Sequence, residues 1–121
     1  LIEREFLLNS KIKFIEDRWM EDVIFTTNLF IVANKIARFS LDAHRHLMVE
    51  GSAMTNRDPK HYNGVIDDNR NAAIVFETII EELKQKNVNP HCIKRLIVRQ
   101  QSFVFFMMIR MLKNLNCLMR T

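Results

Sequence analysis

The chain has 121 residues and a net charge of +4, and apolar residues make up 48% of it. That length allows one domain with a core covering roughly two-thirds of the unfolded surface, and the apolar share is too high for a disordered chain. Only two Gly and two Pro occur, which excludes glycine-rich phosphate loops and disfavours hairpin-rich sheets.

The first fifty residues contain neither Gly nor Pro, so long helices are expected there. The spacing predicts a short helix or arm over residues 2–8, followed by helical structure from about 10 to 49. Leu8, Ile12, Ile15, Trp19, Val23, Phe30, Ala33, Ala37 and Leu41 recur at helical intervals. Asn9 or Ser10 is a candidate N-cap for that segment. The β-branched pair in "FTTN", residues 25–28, is a candidate kink. Trp19, Met20 and Ile24 form an apolar ridge.

Residues 50–68, "EGSAMTNRDPKHYNGVIDD", hold both glycines and one proline. Pro59 and Asn63-Gly64 are turn formers, so this segment reads as a long loop. It either crosses one end of the helices or serves in binding. The next helix is expected to be capped by Asp67, Asp68 or Asn69, with Ala72, Phe76, Ile79, Ile80 and Leu83 as its buried stripe. "KNVNP", residues 86–90, should end that helix and start the last one, with Asn89 as N-cap and Pro90 at the first helical position. So short a connection predicts an antiparallel pair. The last helix is expected from Pro90 to about Leu118, with Ile93, Leu96, Ile97, Val104, Met107 or Met108, Met111, Leu115 and Leu118 inward. The fold class that follows is all-α, a compact bundle of about four helices. Because the chain opens on Leu1, it reads as a single domain excised from a larger protein.

The segment "SFVFFMMIRML", residues 102–112, is apolar around its whole circumference. It is too short to span a bilayer, being flanked by Arg99, Gln100 and Gln101 and interrupted by Arg110. A bundle of four helices has no wholly internal helix, so part of this surface should lie uncovered. A second chain, a fold of the same chain or a ligand cavity could cover it. The expected interface residues are Phe103, Phe105, Phe106, Met107, Ile109 and Arg110, with Trp19 and Met20 on a second surface.

Candidate chemistry is sparse. His44 and His46 are two apart and would point in nearly opposite directions on a helix, so they cannot share a metal ion. His46 with Glu50, or His61 with His91 and Cys92, would need convergence from afar. The acidic pairs Glu16-Asp17, Glu21-Asp22, Asp67-Asp68 and Glu81-Glu82 sit among bases, in the pattern of wet helix faces rather than of an acid/base site. Cys92 and Cys117 read as reduced, semi-buried thiols of an intracellular protein. Cys92 beside His91 near a helix start has the setting of a reactive thiol but lacks any nucleophile motif. No metal or cofactor is expected.

Charge is unevenly distributed. Residues 90–121 carry six Lys/Arg and no acid. The sequence therefore supports a non-catalytic module for protein–protein interaction and assembly, a homodimer or scaffold, in the nucleus or cytoplasm and off the membrane. The alternative is a helical nucleic-acid-binding module using Lys94, Arg95, Arg99 and Lys113. An enzyme or small-ligand carrier would rest only on an apolar cavity.

Overall fold

The structure, a computed structural model, describes residues 1–16, 20–42, 47, 49–50, 56 and 58–119, with side-chain surroundings as far as residue 115. Four helices follow in chain order: α1 (Arg4–Ser10), α2 (Glu21–Val32), α3 (Pro59–Gln85) and α4 (Pro90–Met119). The fold is all-α, and no strand occurs among the described residues.

The N-terminal segment is less helical than its pattern predicts. Ser10 ends α1 instead of starting a helix: its hydroxyl donates to the Leu7 carbonyl (2.8 Å) and accepts from the Ile12 N–H (3.3 Å). Lys11 follows in the left-handed region at φ 57° and closes the helix. The next helix does not start until Glu21, after Met20 at φ 67°. Glu21 and Asp22 then complement its positive end. It runs without a break through Thr26, Thr27 and Asn28, so the kink expected there is absent. It stops at Val32, and Ala33 is extended. Beyond it Ile36, Phe39 and Leu41 are exposed. Apolar spacing alone does not sustain a helix, because most helical stability comes from packing the apolar face against something. Nothing among the described residues buries these three.

The opposite correction applies to residues 59–68. Helix α3 starts at Pro59 and passes straight through Asn63-Gly64. Pro59 sits in the first turn, where its missing N–H costs nothing and its fixed φ suits the helix. Asn63 and Gly64 lie on the wet side, while Val65 is buried. The buried stripe thus extends about two turns upstream of Ala72, and its packing outweighs local turn propensity. Asp67, Asp68 and Asn69 are interior helix residues, not caps. Residues 51–55 and 57 of the expected loop lie outside the described residues.

The α3–α4 elbow follows the sequence closely. Asn87 takes φ 53°. The Val88 N–H donates to the Leu83 carbonyl (3.2 Å) and the Asn87 N–H to that of Lys84 (3.1 Å). This is the Schellman arrangement, which satisfies the last carbonyls of α3. Asn89 then caps α4: its Oδ1 accepts the His91 N–H at 2.9 Å, with Pro90 between them. Val88 packs against the cluster formed by Ile79, Ile80, Leu83 and Ile93. It therefore provides the apolar contact that closes α3 and the one that opens α4.

From this elbow the two helices run antiparallel. A second cluster joins Ala72 and Phe76 of α3 to Phe103 of α4 and Ile24 of α2. The Phe76 and Phe103 rings meet edge to face, 5.1 Å between centroids. Gln100 Nε2 donates to the Ala73 carbonyl (3.0 Å) and to Glu77. At the far end Asn114 Nδ2 donates to Asn63 Oδ1 at 3.0 Å. Helix α2 adds Ile24 to this core; Phe25 and Leu29 are also buried, and Phe14 stacks on Phe25 at 3.8 Å. Asn69 is wholly buried; its Nδ2 donates to the Val65 carbonyl at 2.7 Å, and its Oδ1 has no partner.

Candidate functional site

Helix α4 has two stripes at alternating spacings of three and four. The inner one faces α3 and reads Ile93, Leu96, Gln100, Phe103, Met107, Arg110 and Asn114, all buried or half-buried. The outer one reads Val98, Gln101, Phe105, Met108, Leu112 and Leu115. Its five apolar members are each more than half exposed. Such spacing keeps a seam in line along a helix and is the pattern by which one helix packs on another.

The distribution of polarity over residues 100–115 of α4 is inverted. Gln100, Arg110 and Asn114 face the chain's own α3, while Phe105, Met108, Leu112 and Leu115 face out. The outer seam spans about 26 Å at the helical rise of 1.5 Å per residue. Positions on and immediately beside it, from Ile97 to Leu115 (Ile97, Val98, Gln101, Ser102, Val104, Phe105, Met108, Ile109, Met111, Leu112 and Leu115), carry no charge.

The residues singled out from sequence divide between these faces. Phe103, expected at an interface, is 2% exposed and packs in the chain's own core. Met107 is half-buried on the inner stripe. Phe105 lies on the outer seam, and Phe106 is exposed beside it, its ring edge-on to that of Phe105 at 5.8 Å. Ile109 and Arg110 are half-buried on the flank that turns toward α3. Met20 is half-buried against the core cluster, and Trp19 lies outside the described residues. Of the expected inward positions, Val104, Met111 and Leu115 are exposed. That stripe repeated every seven residues from Ile97, and a straight helix drifts about 20° per such step. Polar Gln100, Arg110 and Asn114 hid the true inner line.

The basic residues do not share one face. Arg95, Arg99, Arg110 and Lys113 fall along one flank of α4 at helical spacing, and Lys94 lies on the other side. The Arg99 guanidinium sits 5.2 Å from the centroid of the Phe103 ring, a cation–π contact that shields the core from solvent.

Beside that flank, between the first turns of α3 and the second half of α4, lies a cleft of about 320 Å³. Val65, Phe106 and Ile109 form its apolar side, and His61, Tyr62, Arg110 and Lys113 its polar one. Asn56 completes the lining, and no acidic residue lines it among the described residues. Another recess, about 380 Å³ and wide open, lies at the elbow beside Lys84, Val88 and Ile93. There Glu81 hydrogen-bonds the Lys84 ammonium at 2.6 Å and holds its pKa above the ordinary value.

Among the described residues no three His, Cys, Asp or Glu side chains converge on a possible metal position. His44 and His46 lie outside them. Cys92 is exposed, not semi-buried as expected. No described helix is long and apolar enough to cross a membrane. Comparison with protein-family models, curated proteins and solved structures finds no match for the chain.

Proposed function

We propose that this chain is a non-catalytic assembly module that forms a homodimer through the outer seam of α4. The observation that carries this reading is the inverted polarity of that helix: its more apolar line faces away from the rest of the chain. Exposed apolar surface of this extent and regularity marks an interaction site. The seam and its two borders are free of charge, so a second copy meets no like-charge repulsion across it. A partner selected by charge would instead be read by charged border positions. Two copies of one helix face are self-complementary about a two-fold axis. An intracellular site suits the exposed thiol of Cys92, which an oxidising compartment would pair.

The test is mass in solution by light scattering at micromolar concentration. The wild type is expected to be dimeric. Phe105→Glu with Leu112→Glu places two charges on the seam and should yield a monomer with unchanged helical circular dichroism. A wild type that stays monomeric at 100-fold higher concentration overturns the proposal.

A further inference from the structure

The cleft between α3 and α4 lies to one side of the seam, and its chemistry is different. Arg110 is half-buried on the inner stripe, and no hydrogen bond or ion pair engages it among the described residues. Its stem packs on the helix pair while its head lines an open cleft, so its N–H donors are available to a carboxylate or phosphate ligand. Among the described residues the lining adds a second cation, Lys113, with His61 and Tyr62, and no acid. Val65 on α3 and Phe106 and Ile109 on α4 supply the cleft's apolar lining. The volume is at the small end of the range for ligand sites, and the Asn114–Asn63 hydrogen bond ties together the helices that form the walls.

From this we infer that the cleft binds a small organic oxyanion, a phosphate or carboxylate head on an apolar body. The head pairs with the fork of Arg110 and the ammonium of Lys113; the body lies against Phe106, Ile109 and Val65. The planar guanidinium offers two parallel N–H donors to such a head, which a lysine cannot do. This inference is independent of the dimer proposal, since neither cation lies on the outer seam.

Titration calorimetry with phenyl phosphate and with inorganic phosphate tests it on the full chain. Phenyl phosphate should bind saturably and at least tenfold more tightly than inorganic phosphate. Arg110→Gln should weaken phenyl phosphate at least tenfold, and Arg110→Lys should recover only part of that loss. Phe106→Ala should weaken phenyl phosphate but leave inorganic phosphate unchanged. Lys86→Gln, which removes a distant cation, should alter neither. Sedimentation with vesicles containing phosphatidic acid, lost in Arg110→Gln, would assign the same head group to a lipid source. No saturable phenyl phosphate binding, or equal binding by Arg110→Gln with intact helicity, overturns the inference. So does displacement of phenyl phosphate by a single-stranded oligonucleotide at tenfold lower concentration, which would make this flank a nucleic-acid surface.

Discussion

The two ends of this chain have similar apolar content and different fates. Between Pro59 and Leu115, Val65, Ala72, Phe76, Ile79, Ile80, Leu83, Ile93 and Phe103 are buried against one another. Among the described residues of 1–42, only Ile24, Phe25 and Leu29 are buried, while Leu8, Phe30, Ile36, Phe39 and Leu41 stay exposed. The difference is one of pairing. A four-residue elbow, 86–89, gives α3 and α4 each other's apolar faces at little loss of chain entropy. No comparably short connection supplies the first forty residues with a partner surface. Helical spacing therefore becomes helix where a neighbour is close along the chain.

The comparison breaks if apolar residues contribute equally at both ends. Phe76→Ala, in the centre of the helix pair, should destabilise the fold by about 3–5 kcal/mol. Phe39→Ala, in the exposed segment, should change it by less than about 0.5 kcal/mol. Denaturant unfolding of both variants measures the contrast, and equal effects would erase it.

A smaller effect sharpens the account of the paired region. The buried Oδ1 of Asn69 has no partner, a deficit of about 1–3 kcal/mol. Asn69→Leu keeps the branched four-atom side chain and removes that polar atom, so it should raise the unfolding free energy by about 1–2 kcal/mol. A drop in stability would show that the polar group does more within the helix pair than its own hydrogen bond to Val65.

The smallest change concerns the start of α3. A Cβ at Gly64 would meet nothing within 4 Å. Gly64→Ala should therefore stabilise the helix by about 0.5–1 kcal/mol. Thermal unfolding measures it. A destabilised variant would mean that residues 63–64 need the backbone freedom of a turn after all.

Legibility in the sequence followed the same division. The elbow could be read residue by residue, because Asn87, Asn89 and Pro90 act through bonds to their immediate neighbours. The α3 stripe was legible from Ala72 onward for the same local reason. Its first turns were not, because Asn63-Gly64 is turn-forming in isolation and only the burial of Val65 overrules it. On α4 the excess of apolar surface was visible, but its direction was not. Phe103 and Phe105 are alike in sequence, and only the position of α3 makes one core and the other surface. The cleft was invisible, since His61 and Arg110 are 49 residues apart and meet only through the antiparallel register.

Val88 holds a further consequence. One side chain closes the helix before it and opens the helix after it, so neither end can fray without loosening the other. The elbow is therefore the expected nucleation point, with contacts nearest in sequence forming first and the pair zipping outward toward Asn63 and Asn114. Chains assembled from such local contacts fold fast. The last parts of this pair to close are the walls of the cleft, and so they are the first to open when it breathes.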